Sequence, residues 1–402
     1  MLTPAAAEKL ILENIVPFKS EDCPLASAQQ RILRQAIKAD RDLPPFHRVT
    51  MDGFALRAAA IAAGLSQFKV ERVQAAGMRP FQLSVENAAC IEVMTGAVLP
   101  EGADTVVPYE DTLREGADIN LMRGHDKFQV GHAVHHRGTD HRAGDVIVSA
   151  GTLLSGREIA VAAACGYASL SVSLSPKIAI VATGDELVEV DAPAAAHQIR
   201  RSNDYAVRAA LITAGFSHVS RFHLRDVRHE IEHLLWHILA EFDVVIISGG
   251  VSKGKFDYLP AELERQGVKK IFHGVAQRPG KPFWFGLSAR QTPVFALPGN
   301  PVSTYTCLHR YVLPALAYAG GLLAKPVRRV ALAAPVVFKP KLTWLLPVKL
   351  VEGRPGEWLA QPDPSNTSGD FAGLIGTDGI VELAAEPTSF LAGSIVPFYP
   401  WI

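Results

Sequence analysis

Three short apolar runs, each ending abruptly in a glycine-bearing polar loop, constrain this chain more than any other feature. VVII (244–247) runs into SGGVSKGKFD, VFAL (294–297) into PGNPVS, and IAIVA (178–182) into TGDEL. Runs of this length bounded by turn residues read as strands buried on both faces, and the helical segments between them call for a parallel-rich sheet. Open sheets of that kind bind ligands in the crevice beyond the carboxyl ends of their strands. The three loops therefore point to one site, centred on residues 242–303.

The rest of the chain narrows what that site can serve. A length of 402 residues predicts roughly two to four domains. Forty basic residues balance forty acidic ones, so there is no overall field of the kind that holds nucleic acid. The four cysteines, Cys23, Cys90, Cys165 and Cys307, form no C-x-x-C pair, which argues against a zinc site or disulfide framework and suits a reducing compartment. MLTPAAAEKLILENI carries Glu8 and Glu13 within its apolar pattern and reads as an amphipathic helix, not a signal peptide. No apolar run is long enough to span a membrane. A cytoplasmic protein is the expectation.

Helical spacing over 5–16 ends at Pro17, and a second helix is expected over 25–37 (LASAQQRILRQAI), before Pro44 and Pro45. Alternation in FKVERV, ACIEVM, DTVVPYE and FQV then predicts a β-rich module. Helical signal returns at 156–165, with a stop at Gly166. The fold class is therefore multidomain, α/β plus β. A helical domain is expected over 1–45 plus 139–172, with the β-rich module, 46–138, inserted in it. A three-layer α/β domain over 173–323 and a small β domain over 324–402 follow.

Each polar loop has an ordinary reading beside a chemical one. In SGGVSKGKFD the glycines allow positive φ or close approach of a ligand, and successive N–H groups can cup an anion. Taken alone, the same loop with Asp257 before YLPAELERQG is a plain helix N-cap. Glu186 in TGDEL, Asp226 after FHLR and Asp257 stand at strand ends, where converging carboxylates suit a hard divalent cation. RPGKP (278–282) holds Arg278 and Lys281 about a stiff turn, a geometry for phosphate or another oxyanion. LPGNPVS leads into a helix whose first N–H groups can receive an anion. His135 and His136 are adjacent, would point apart on a strand, and read as solvated surface. No G-x-S-x-G, Walker A or G-x-G-x-x-G motif is present, so no protein nucleophile is called for.

Beyond these physical readings, MDGFALR (51–57), MTGAVLPEGADTVVPYE (94–110), RGTDHRAGDV (137–146), TGDEL, QIRRSN (198–203), SGGVSKGKFD, RPGKP and LPGNPVS occur in a fixed order over nearly the whole chain. In this the chain resembles the molybdopterin molybdenumtransferases of the MoeA type, which are related to the E domain of gephyrin. The resemblance implies four domains, a helical hinge domain, an inserted β domain, a molybdopterin-binding α/β domain and a C-terminal β-barrel, and a homodimer whose active site is shared between subunits. It implies insertion of molybdenum from molybdate into adenylylated molybdopterin, dependent on Mg²⁺, with release of AMP. A molybdopterin adenylyltransferase and apo-molybdoenzymes are the implied protein partners.

Carried onto this sequence, the resemblance assigns catalytic roles to Asp52, Thr95, Asp140, Glu186 and Asp257, and the metal to Glu186, Asp226 and Asp257. It assigns substrate binding to Ser248, Gly249, Gly250 and Ser252, to Arg278, Lys281 and Pro282, and to Pro298, Gly299, Asn300 and Pro301. Lys341 stands where relatives carry Arg, keeping the charge but losing bidentate geometry, and Ser368 matches a molybdate-holding Ser. Two other readings stay open at this stage: a scaffold that binds molybdopterin without turnover, and an adenylyltransferase, which the α/β domain alone resembles.

Overall fold

The structure is a computed structural model that describes residues 1–122, 125–225, 227–251 and 259–401. Ser252, Asp226 and Asp257, three of the expected site residues, lie outside the described residues. The chain forms two compact units, one of Met1–Gln35, Ala150–Ser155 and Ser169–Ile402, the other of Ala36–Ser149 and Gly156–Ala168.

The larger unit is built on a six-stranded sheet in the order Val219–Leu224, Ile178–Thr183, Val244–Ser248, Pro293–Leu297, Trp284–Leu287, Lys269–His273. The first four strands run parallel, Trp284–Leu287 runs against them, and Lys269–His273 pairs antiparallel with Trp284–Leu287. The antiparallel edge follows from chain length, since residues 288–292 between its neighbours are too few for a crossover. Ile178, Ile180, Val244, Ile246, Phe295 and Leu297 enter one core, and Ala179, Val181, Val245, Ile247, Val294 and Ala296 enter the other. Helix Asn203–Thr213 and residues 301–319 cover the first face, while Arg228–Glu241 and Leu259–Arg265 cover the second. Both faces are buried, which is why the strands read as continuous apolar runs.

Residues 301–319 contain a π turn at Leu308–Val312, immediately before Pro314. Proline cannot donate to the carbonyl one turn back, and the wider turn accommodates it. His309 in this turn is 4% exposed. Its Nδ1 is 3.0 Å from the Tyr305 carbonyl, and Nε2 has no partner among the described residues. Burial, only partly opposed by the bond to Tyr305, pushes the imidazole pKa down to about 4 from 6.5. Between those values the unfolded chain binds a proton that the native protein refuses, so stability falls as pH drops from 6.5 toward 4. The expected loss is about 3 kcal/mol. Denaturant midpoints at neutral and acid pH should show it in the native sequence and much less of it in His309→Leu.

Downstream, a five-stranded barrel closes on itself. Thr343–Glu352 pairs with Trp358–Pro362 and Gly379–Leu383, and Arg328–Leu332 and Ile395–Pro400 complete the ring. Its interior holds Val330, Leu346, Val348, Val381, Val396 and Phe398. Strand Gln277–Arg278 pairs in parallel with the start of Thr343–Glu352, carrying the RPGKP turn onto the barrel.

The helix expected over 25–37 does not form. Leu25–Ser27 makes one 3-10 turn, Gln30 adopts φ 62°, and Ile37–Lys38 is a strand. The N–H groups of Gln30, Leu33 and Arg34 donate instead to Leu154, Thr152 and Ser171, at 2.8, 2.9 and 2.8 Å. Distant strands thus supply the bonds a helix would have made locally, and tertiary pairing overrides helical propensity. Ser20–Pro24 likewise pairs with Ser169–Ser173. Beyond the N-terminal helix Pro4–Asn14, the segments 18–45 and 139–172 therefore give short ladders and one helix, Gly156–Ala164, with Gly166 beyond it at φ 80°.

In the smaller unit a second six-stranded sheet runs Thr105–Pro108, Gly53–Leu56, Ala89–Val93, Gln67–Gln74, Asp118–Leu121, Thr112–Glu115. FQV (128–130) is not one of its strands. It follows a 3-10 turn, and its alternation reflects one buried ring, Phe128, in the core beside Phe54, Phe68 and Ile119. No helix among the described residues is long and apolar enough to cross a membrane.

Candidate functional site

The site of the larger unit exists because three neighbouring strands end level with one another, Ala182 beside Ser248 and Ser248 beside Leu297. The chain then leaves the sheet through glycine. Gly249 adopts φ 102° and donates its N–H to the Leu297 carbonyl at 3.0 Å. A Cβ on Gly249 would stand 2.5 Å from Thr183 Oγ1 and 3.0 Å from the Thr183 carbonyl oxygen, so only glycine lets these two loops meet. Above them lies a cavity of about 410 Å³ lined by Thr183, Glu186, Ser248, Gly250, Asn300 and Pro301 among others.

Asn203 ties its walls together. The Nδ2 group donates to the Gly299 carbonyl at 2.7 Å and to Ser248 Oγ at 2.9 Å, with Thr304 Oγ1 at 3.2 Å. Its Oδ1 has no donor among the described residues. Behind it, the fully buried Asp204 accepts from Arg201 at 2.5 Å and Arg221 at 3.2 Å, and Arg201 also pairs with Glu189. Sequence reasoning gives no role to Asn203, Asp204 or Thr304. The only signal is RRSND at a helix start, which ordinary capping also produces.

A second cavity of about 230 Å³ lies against the barrel, lined by Arg278, Pro279, Trp344, Ser365, Thr367 and Ser368 among others. Buried Gln277 fixes the RPGKP turn, its amide donating to the Gly280 carbonyl at 3.4 Å and to Cys307 Sγ at 3.5 Å, and its oxygen accepting from Tyr311. The two cavities share a septum. Asn300 Nδ2 donates to Ser368 Oγ at 2.8 Å, and the Val302 N–H donates to the Ser368 carbonyl at 3.0 Å. Gly299, Asn300, Pro301 and Gly369 face the larger cavity, while Val302 and Ser368 face the smaller. Thus Arg278 and Ser368 line one cavity, and Asn300 joins Ser368 from the other. Lys281 and Lys341 are exposed, Pro282 is half-buried and Pro298 buried, and none of the four lines either cavity.

Of the carboxylates expected to hold a cation, Glu186 is the one described, and it lines the larger cavity. No cluster of three or more His, Cys, Asp or Glu able to hold a metal occurs among the described residues. A lone carboxylate is nonetheless compatible with Mg²⁺, which takes most of its ligands from phosphates and water.

In the smaller unit Asp52 Oδ1 accepts from both the hydroxyl and the N–H of Thr95, each at 2.7 Å. These bonds, the hydroxyl first, hold the Asp52 carboxyl below the usual carboxylate range. Asp140 lies 3.0 Å from His135 Nε2, and the other ring nitrogen of His135 lies 3.0 Å from Arg48. Because a guanidinium only donates, His135 accepts at Nδ1 and donates from Nε2 to Asp140. His135 is therefore not the solvated surface residue its neighbourhood in sequence suggests.

Residues 2–166 match the family described as the MoeA N-terminal region, domains I and II, and residues 179–318 match the probable molybdopterin binding domain. The chain is 39% identical over 403 residues to a molybdopterin molybdenumtransferase of Synechocystis sp., with 100% of each chain covered. It is 34% identical over 296 residues to that of Bacillus subtilis, covering 72% of this chain and 68% of the other. The solved structure of a molybdopterin biosynthesis MoeA protein from Pyrococcus horikoshii has a TM-score of 0.82 at 30% identity, covering 100% of this chain and 99% of that one.

Proposed function

The chain belongs to the molybdopterin molybdenumtransferase family, and we propose that it carries out that family's reaction at the paired cavities of its larger unit. It is an enzyme of molybdenum cofactor biosynthesis that inserts molybdenum into molybdopterin. The observation that supports this placement is the septum, which sets a cavity bearing Arg278 and three hydroxyl side chains directly beside a larger polar one.

In this reading adenylylated molybdopterin occupies the larger cavity. Its phosphates face Arg200, and the polar lining at Thr183 and Ser248 offers neutral hydrogen-bonding partners. Molybdate occupies the smaller cavity, where Arg278 supplies charge and Ser365, Thr367 and Ser368 supply hydroxyl donors. Lys281 and Lys341 stand outside the lining and contribute field rather than contact. Glu186, with Asp226 and Asp257, would hold Mg²⁺, which when bound supplies neutralising charge to the phosphates. The chain's own task is to hold the dithiolene and the oxyanion on either side of Asn300 and Ser368, exclude water and let AMP depart.

The same proposal includes the homodimer, with Asp52 of the partner subunit, Thr95 of the partner subunit and Asp140 of the partner subunit completing the larger cavity. It includes the four-domain division at 1–45 plus 139–172, 46–138, 173–323 and 324–402. A cytoplasmic setting, with a molybdopterin adenylyltransferase upstream and apo-molybdoenzymes downstream, fits this chemistry.

Purified protein given adenylylated molybdopterin, molybdate and Mg²⁺ should release AMP only when molybdate is present. Glu186→Gln, which keeps the shape and removes the charge, should slow that release on the order of 100-fold. Binding without turnover would identify a scaffold instead, and incorporation of AMP from ATP an adenylyltransferase.

A further inference from the structure

Helix Arg228–Glu241 buries Ile231, Leu235, Ile238 and Leu239 against the sheet, which fixes its rotation and leaves His233 and His237 exposed. Residues four apart on a helix are neighbours on one face. Here the contact is specific: His233 Nε2 and His237 Nε2 are 3.3 Å apart, with ring centroids 4.5 Å apart. Two Zn–N bonds of about 2.0–2.1 Å at a tetrahedral angle separate their nitrogens by about 3.3 Å. The two lone-pair positions thus already have the spacing of adjacent ligands on one ion.

We propose that His233 and His237 chelate a divalent transition cation, Zn²⁺, Ni²⁺ or Cu²⁺, through their Nε2 atoms. Imidazole favours these ions and leaves Mg²⁺ to oxygen ligands, so this site and the carboxylate site at Glu186 select different metals. Without the cation, one imidazole donates its Nε2–H to the other. With it, both rings carry their proton on Nδ1 and present Nε2 to the metal. No third His, Cys, Asp or Glu closes the site among the described residues, so water fills the remaining positions and the ion exchanges freely. The other close pair, His47 and His136, is engaged differently: their Nδ1 atoms are 3.1 Å apart, and His47 Nδ1 also accepts the Arg137 N–H at 3.3 Å.

Trp236 makes the site readable. It is 62% exposed, and its ring centroid lies 5.0 Å from that of His237, close enough for bound Cu²⁺ or Ni²⁺ to quench its emission. Titration of the full chain with Ni²⁺ should quench tryptophan emission saturably, with a micromolar midpoint and one equivalent bound by calorimetry. His233→Ala and His237→Ala should each weaken binding roughly tenfold or more. Trp236→Phe should lose the quenching and keep the calorimetric binding, and millimolar Mg²⁺ should not compete. Both histidines are solvent-facing, so circular dichroism of the variants should match the parent. Unchanged binding in the His233→Ala/His237→Ala double variant, or no binding below millimolar Ni²⁺, overturns the proposal.

Discussion

Gly249→Ala is expected to lower kcat/KM for molybdenum insertion by about 100-fold or more while leaving secondary structure intact. At φ 102° an alanine is strained wherever it sits, and here its Cβ would also meet Thr183 Oγ1 at 2.5 Å and the Thr183 carbonyl at 3.0 Å. The hydroxyl can rotate away, but the carbonyl belongs to the end of a central strand and cannot. The turn after Ser248 must therefore move. That shift breaks the bond from Gly249 N–H to Leu297 and pushes on Gly299, whose own Cβ position is 3.4 Å from Gly249 Cα. Gly299→Ala is the control, because its φ is not positive and that contact is an ordinary van der Waals distance. AMP release measured against substrate concentration should show Gly249→Ala crippled. Gly299→Ala should retain the parent's thermal stability and lose at most a modest part of its substrate affinity.

This contrast rests on the part of the molecule that was legible from sequence. Apolar runs ending in Gly-rich loops gave both the buried strands and the edge at which a ligand would sit, because strand burial and positive φ each leave a local residue signature. What depends on distant partners left no such mark. The apolar spacing in 25–37 looks helical until Leu33 and Arg34 find strands more than a hundred residues away. His135 looks like solvated surface until Arg48, its cross-strand neighbour, fixes its tautomer and turns its Nε2–H toward Asp140. The resemblance names Asn300 and Ser368 separately and says nothing of the bond between them, yet that bond makes two cavities out of one crevice. Lys341, matched to an Arg of relatives, is exposed and does not line the smaller cavity, and position in sequence carries no signal for that difference.

Arg310→Ala should cost about 3 kcal/mol, the lower end of the range for breaking a buried ion pair. The guanidinium is 2% exposed and ties its own helix to two other elements, the barrel and the N-terminal helix. Nε donates to Glu382 in the barrel at 2.7 Å, and Nη2 donates to Glu8 in the N-terminal helix at 2.9 Å. The ring of Tyr399, also in the barrel, lies 4.4 Å away. Burial alone would lower the Arg310 pKa, but Glu382, Tyr399 and Glu8 more than offset it and keep the group charged. Truncation leaves Glu382, 18% exposed, and Glu8, 35% exposed, without their cation, and their partial access to water is what keeps the loss at the lower end. Because the barrel carries Trp344 and Ser368, its loosening should act on one substrate more than the other. Urea unfolding should show the lost stability, and Arg310→Met with Glu382→Leu should recover most of it. Steady-state kinetics of Arg310→Ala should show a raised KM for molybdate and a nearly unchanged KM for the pterin. A uniform rise in both would mean that the barrel only supports the fold and does not form the wall of the oxyanion cavity.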